Sequence, residues 1–313
     1  MTPAGILVVG EAIGDFIPQD AGGRRYEAVL GGSGFNAAIA LARFGAGVSY
    51  AGALSTDALG RRFRAAMAQE GIDAGLIRDS ARPSAVAIVA PLAADGVPEF
   101  GLYLDGTAHH EPQGTPRRCP AGVVHLHAAS FGATVGPSGE ATLALIEDAR
   151  SHGASISYDI NIRPSALPRR PEATAAIEAR IALADFAKAS LEDLAWLYPD
   201  RTPEQVADAW LALGARVVLV TRGGEGASCH FGSGTLMAAV PPVVVSDTVG
   251  AGDTFIGGFL AVLSARNLLG PRSALARLGE LQAALAFACE VAADSCSRPG
   301  CDPPRRRAAD YHS

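Results

Sequence analysis

Ser246-Asp247-Thr248-Val249-Gly250-Ala251-Gly252-Asp253-Thr254-Phe255-Ile256-Gly257-Gly258-Phe259 follows an apolar run at 243–245 and opens an apolar helix. Gly250, Ala251 and Gly252 are small enough for a ligand to approach the backbone. Their amides, with the helix N-terminus, form a nest for an anion. Asp253 falls in the first helical turn. A carboxylate repels a bound phosphate, so its use lies elsewhere: it is placed to accept a proton from a hydroxyl that attacks that phosphate. A lone Gly-Asp at such a place reads as an N-capping aspartate. Two aspartates six apart around Gly-Ala-Gly favour the chemical reading.

Outward from this segment, strand and helix signals alternate. Short apolar runs at 5–10, 48–54, 123–127, 154–159, 184–189, 216–221, 227–231 and 235–240 read as strands. Stretches at 34–44, 58–70, 137–152, 191–198, 203–213 and from 252 onward read as helices. Such alternation predicts an α/β fold, a mostly parallel sheet with helices on both faces, and ligands at the carboxyl ends of its strands. One region departs from the pattern. The β-rich runs 84–92 and 99–104 flank Ala94-Asp95-Gly96-Val97-Pro98, and with 16–18 and 26–30 they form a small separate sheet.

The chain of 313 residues is long enough for a full core without disulfides or metal staples. At 49% hydrophobic and 19% charged it is not a disordered chain, and a net charge of −6 argues against a global grip on nucleic acid or on an anionic membrane. No apolar run reaches the roughly 18 residues of a membrane span. Met1-Thr2-Pro3-Ala4 lacks the basic start of a signal peptide. Five cysteines without a Cys-x-x-Cys pair read as reduced thiols in the cytoplasm rather than a disulfide or zinc framework. Lys188 is the only lysine among 26 basic residues, and no glycine precedes it, so a Walker A loop is excluded. If phosphate is handled, the sequence leaves arginines, backbone amides or a metal for it.

A second glycine segment, Gly31-Gly32-Ser33-Gly34-Phe35-Asn36-Ala37-Ala38, contains G-x-G-x-x-A, the pattern of a dinucleotide-binding oxidoreductase. It lies some twenty residues beyond the first strand, where that pattern does not belong. The other reading is a turn that brings a substrate close to the backbone, with Asn36 bonding its hydroxyls.

Together these two segments resemble the signatures of the ribokinase family, the pfkB-type carbohydrate kinases, and the resemblance runs from Val8 to Pro304. Bacterial fructokinases are the most similar members. Gly10-Glu11-Ala12-Ile13-Gly14-Asp15-Phe16, Asp159-Ile160-Asn161-Ile162-Arg163-Pro164, the stretch from Lys188 to Leu197, Thr221-Arg222-Gly223-Gly224-Glu225-Gly226 and Arg298-Pro299-Gly300-Cys301 resemble their corresponding segments. The resemblance implies a three-layer α/β/α sandwich over 1–313 with a β lid from about 15–31 and 84–108. It implies an ATP- and Mg²⁺-dependent sugar kinase, a fructokinase first, with ribose, 2-keto-3-deoxygluconate or adenosine as other acceptors. The lid suggests a homodimer.

The implied roles follow residue by residue. Asp253 is the base, and Gly250, Ala251 and Gly252 form the anion hole. Asp15, Gly32, Asn36 and Arg163 hold the sugar. Ser190, Thr221, Gly223, Gly226, Cys289 and Gly300 line the ATP site. Asp193 organises Mg²⁺ through water, and Asp247 with the Val249 carbonyl holds K⁺. Ser190 and Asp193 replace the family's Asn and Glu, and Ser190 equally fits a helix N-cap. Leu104 stands where fructokinases carry a lid arginine, and His109-His110 replace Asp-Arg. Rival readings are a Rossmann-type oxidoreductase and a sugar- or nucleotide-binding protein without turnover; the retained Asp253 speaks against the latter.

Overall fold

The computed structural model describes residues 5–20, 22–90, 100–232, 234–271 and 278–311. The inner strands of the large sheet are apolar runs buried on both faces, while its two edge strands are partly exposed. Its strands are β1 (Ile6–Val9), β4 (Val48–Ser55), β5 (Asp73–Ser80), β8 (His125–Ala129), β9 (Ser155–Asp159), β10 (Phe186–Ser190), β11 (Val217–Thr221), β12 (Ala227–Phe231) and β13 (Gly234–Ala238). They form one sheet in the order β13-β12-β11-β10-β9-β8-β1-β4-β5, parallel except for the pairings of β12 with β11 and β13.

Helices cover both faces. On one side α1 (Ser33–Arg43), α2 (Ala58–Gln69), α7 (Ala251–Ala265) and α8 (Leu278–Cys296) pack Phe35, Phe63, Phe259 and Phe287 against Ile6, Val8 and Phe186 of the sheet. On the other, α3 (Gly136–Ser151), α4 (Arg170–Ile181), α5 (Leu191–Leu197) and α6 (Pro203–Leu213) bring Ile146, Ile177, Leu194 and Trp210 against Leu7, Val9 and Val218. Burying each such side chain contributes on the order of 1.5–3 kcal/mol, so packing rather than helix propensity fixes these layers.

The small sheet consists of β2 (Ile13–Pro18), β3 (Tyr26–Gly31), β6 (Val86–Val89) and β7 (Phe100–Tyr103) in the order β3-β2-β6-β7, with β2 and β6 parallel. The turn read at 94–98, with its flanks at 91–93 and 99, and the N-terminal residues 1–4 lie outside the described residues.

The sequence reading of the elements needs three corrections. β8 starts at His125 rather than 123, because the Val124 and His125 amides are both drawn to the Gly5 carbonyl. β5 and α4 were not anticipated. The apolar run at 243–245 that leads into α7 lies outside any strand, with Val244 88% exposed. No described helix is long and apolar enough to cross a membrane, and all five cysteines are free.

Candidate active site

Gly250 begins α7 in the left-handed conformation, φ 73°. A side chain there would also collide with the Cys301 sulfur, 2.1 Å from where a Cβ would stand. The turn therefore needs glycine twice over. Of the three amides expected to form the anion nest, that of Ala251 closes back on the Thr248 carbonyl at 3.2 Å, a long bond. Asp253 is buried one turn into the helix. Its Oδ1 accepts the Ser33 hydroxyl at 2.6 Å and its Oδ2 the Asn36 amide at 2.9 Å. The two glycine segments thus meet at one carboxylate, across a separation of more than 200 residues. Asn36, expected to hold sugar, also has its amide turned to Asp253.

Asp253 stands at the floor of a cleft of about 690 Å³, at the carboxyl ends of the parallel strands and beneath the inner face of the small sheet. The small sheet contributes Ile13, Asp15, Ile17, Ala87, Val89 and Leu102 to its wall. Burial pushes the Asp15 carboxyl up to about 6, with Arg163 opposing the rise and Asp253 adding to it. Gly32 also lines the cleft; its φ of 97° and the Glu11 carbonyl, 2.5 Å from a would-be Cβ, require glycine. Arg163 donates from Nη1 to the Asn161 Oδ1 and the Ile162 carbonyl at 2.8 and 2.9 Å. Arg163 and Lys188 are the basic side chains of the cleft lining.

Three parts of this site were not singled out by the sequence reading. Glu11 is buried, and its carboxylate accepts the Ser33 and Gly132 amides at 2.9 and 3.1 Å. Burial raises it to about 7, with the Ser33 amide opposing and Asp253 adding. Ser33 links Glu11 to Asp253. Lys188, 3% exposed, pairs with Asp159 at 3.0 Å, and its Nζ lies 2.7 Å from where a Cβ on Gly252 would stand. Burial works to discharge this lysine, but Asp159, Asp193 and Asp253 hold its proton, so it ends above its ordinary value. Burial pushes Asp159 up to about 7 despite Lys188. A fixed cation therefore sits beside the anion nest. The Asp-x-Asn-x-Arg and Lys-x-Ser matches were the only signals that could have found this pair.

Thr221, Gly223, Gly226, Val240, Val243, Val245, Cys289 and Ala293 line the same cleft and give that part of its wall an apolar character. Ser190 and Asp193 both line the cleft and form a capping box on α5. The two oxygens of Asp193 accept the Ile162 and Ser190 amides, each at 2.8 Å. Gly300 is not part of the lining: its amide donates to Asp247 Oδ2 at 2.8 Å, while Asp247 Oδ1 takes the Val249 amide at 3.0 Å. Asp247 thus ties the closing loop to the anion turn.

The dinucleotide reading fails on geometry. The start of α1 follows the small sheet rather than β1, and its Ser33 and Phe35 amides go to Glu11, at 2.9 Å to the carboxylate and 3.3 Å to the carbonyl. No amide nest is left there for a pyrophosphate.

Leu104 packs with Ile13, Ala85, Ala87 and Phe131, so no lid guanidinium is replaced by another polar group. His109 stacks edge-on against Phe131, centroids 5.6 Å apart, and burial lowers it to about 4. No group of three or more metal-ligating side chains occurs among the described residues.

The model of the pfkB family of carbohydrate kinases matches residues 4–307. The chain belongs to that family. A fructokinase of Rhizobium leguminosarum bv. trifolii is 33% identical over 274 residues, 85% of this chain and 82% of that one. Among solved structures of such kinases, a Xylella fastidiosa fructokinase with bound ATP superposes with a TM-score of 0.85 at 26% identity, covering 95% of this chain and 93% of the other. The Salmonella enterica aminoimidazole riboside kinase, complexed with aminoimidazole riboside and an ATP analogue, gives 0.80 at 26% identity, with coverage of 98% and 95%. In this carbohydrate kinase the family's mostly parallel sheet is joined by a small mixed one rather than a purely antiparallel lid.

Proposed function

We propose that the protein is an ATP-dependent fructokinase acting as one catalytic unit, with the small sheet as its lid. The observation that carries this is the meeting of Ser33, Asn36 and Lys188 around the first turn of α7. There a buried carboxylate with two fixed donors stands beside an amide nest and a fixed ammonium. Asp253 takes the proton of the sugar hydroxyl as its oxygen attacks the γ-phosphorus. Lys188 and the amides of Gly250, Ala251 and Gly252 balance the charge on the transferring phosphoryl group. Asp15, Gly32, Asn36 and Arg163 orient the sugar. Thr221, Gly223, Gly226 and Cys289 wall the adenine side, while Ser190 and the Gly300 loop shape its rim.

Two metal ions belong to this reading. Mg²⁺ comes with the nucleotide and shields its phosphates. Each Asp193 oxygen already holds one amide and keeps a lone pair for water around that ion, which fits an indirect role. Asp247, with the Val249 carbonyl, has lone pairs to offer K⁺. Five free thiols suit the cytoplasm.

The lid's outer face points to a second copy of the chain as partner. Tyr26, Ile88 and Tyr103 lie on that face and are 37%, 39% and 56% exposed. Replacing Ile88 and Tyr103 with glutamate should convert a dimer to monomer in sedimentation velocity; an unchanged mass would remove the lid interface.

The deciding experiment measures ADP release over fructose, ribose, adenosine, 2-keto-3-deoxygluconate and fructose 6-phosphate, in wild type and Asp253→Asn. Fructose should lead, since Leu104 takes the place of a lid arginine that could bind an acidic or phosphorylated sugar. The variant should lose about 10²–10⁴ in kcat with ATP affinity retained. A phosphorylated sugar far ahead of the rest, or near-normal turnover in the variant, would overturn the assignment.

A further inference from the structure

Beneath the active site the sheet contains a row of polar side chains where apolar ones are the rule. On β8 and β9, His125 pairs with Ser155 and His127 with Ser157; one step further Asp159 pairs with Lys188 of β10. His125, His127, Ser157 and Asp159 have no exposure, and Ser155 only 1%. Burial drives His125 well below its ordinary value and His127 to about 3, so each neutral ring carries a single proton.

The hydrogen bonds run without a break. The Gly270 amide donates to Ser155 Oγ at 2.9 Å. Ser155 Oγ meets His125 Nδ1 at 2.7 Å, His125 Nε2 meets Ser157 Oγ at 2.8 Å, and Ser157 Oγ meets His127 Nδ1 at 2.8 Å. The Gly270 amide can only donate, so His125 Nδ1 is the partner of Ser155 Oγ that can accept the hydroxyl hydrogen, and this sets the direction of the row. The Ser155 hydroxyl, accepting from Gly270, passes its own hydrogen to His125 Nδ1. His125 then donates from Nε2 to Ser157, and Ser157 donates to His127 Nδ1. His127 is left with its proton on Nε2. That nitrogen is buried without a hydrogen-bond partner, and so is Asp159 Oδ1. The row ends on an unused donor, and the carboxylate that holds Lys188 offers an unused acceptor. His127 faces Ser157, and Asp159 lies two residues on along the same face of β9, so the two ends are diagonal neighbours across the β8–β9 pair.

We propose that His127 is a positioning residue for phosphoryl transfer: its Nε2–H, directed by the Gly270–Ser155–His125–Ser157 row, holds Asp159 Oδ1 through a shared water, keeping Oδ2 on Lys188 and the ammonium beside Gly252. A buried water with such partners satisfies both orphaned groups. His127 touches neither sugar nor nucleotide; it acts through Asp159. The inference rests on the kinase reading for its catalytic consequence, but not for the tautomer.

The test has two readouts. Nitrogen-15 NMR of histidine-labelled wild type should show both buried rings as neutral Nε2–H tautomers, whether or not any sugar is turned over. A His127 ring protonated on Nδ1, which would instead accept from Lys188, overturns the proposal. With fructose, or whichever sugar leads the panel, His127→Leu should lower kcat about 10- to 100-fold with the sugar KM within twofold. His127→Gln, which restores an N–H donor, should recover most of that loss. Equal kcat in wild type and His127→Leu, or equal losses in both variants, would also overturn it. If the leucine variant fails to fold, the tautomer and the glutamine variant decide.

Discussion

At the scale of residues, the densest information lies in one ion pair. Lys188 and Asp159 are buried together, and removing one partner of such a pair costs about 3–5 kcal/mol because the other charge is left uncompensated. Lys188→Met should therefore lose stability as well as about 10²–10³ in kcat. The stability loss has a pH sign. Asp159, raised to about 7 even with its partner, ionises in wild type above that value, where the variant must keep the carboxyl neutral or bury it unpaired, so the penalty grows as pH climbs above about 7. Denaturant melts of the variant and wild type at pH 6 and pH 8 check this; a pH-independent difference would contradict it. Asp253 and the small residues before it were legible in the sequence, because a carboxylate after Gly-Ala-Gly has a distinctive chemistry. Glu11 and Ser33 were not. A glutamate after a glycine carries no local mark that it will reach across to the Ser33 and Gly132 amides.

At the scale of elements, the turn before α7 and the loop after α8 are held by one side chain. Asp247→Ala releases the Val249 and Gly300 amides together. The expected result is a raised KM for ATP, and loss of any rate difference between K⁺ and a large organic cation that wild type shows. Steady-state kinetics in the two salts measures it, and an unchanged ATP KM would contradict the tie. Elements with strong signals were readable: Pro203–Leu213 begins with a Thr-capped, proline-led turn and buries Val206, Ala207 and Trp210. β5 and α4 were not. β5 is an edge strand on which Arg78 and Asp79 are exposed, so no apolar run marks it. α4 buries apolar side chains only at Ala173, Ile177 and Ile181, behind a Pro-Arg-Arg-Pro start.

At the scale of the whole molecule, neutral histidines fastened into the interior set the acid limit. His109 lies between the lid strand β7 and the body strand β8, with its Nε2 buried and unpartnered. Its native value of about 4 lies below the ordinary 6.5, so the unfolded chain binds its proton first as pH falls. The stability it allows is complete above pH 6.5 and is lost down to about pH 4, by at most about 3 kcal/mol. His109→Phe should flatten that part of the profile and keep the stacking on Phe131, as thermal melts from pH 4 to 8 would show. A parallel profile in both proteins would contradict it. Asp15 and Glu11 tilt the other way, their raised values weakening the fold as pH climbs from the ordinary carboxylate range to about 6 and 7.

The division of the cleft between two sheets has a consequence for idle hydrolysis of ATP. Asp15 belongs to the small sheet and Asp253 to the first turn of α7, on the body that the large sheet organises. If Asp15 and Asp253 both hold the acceptor, as proposed, only a sugar long enough to reach both carboxylates would close the gap. Nucleotide bound alone would then face open solvent where the hydroxyl belongs. Water is a nucleophile too, yet it is too short to bridge from Asp15 to Asp253. On that reading the site would discriminate against water by span rather than by chemistry, with the sugar as the key to its own enclosure.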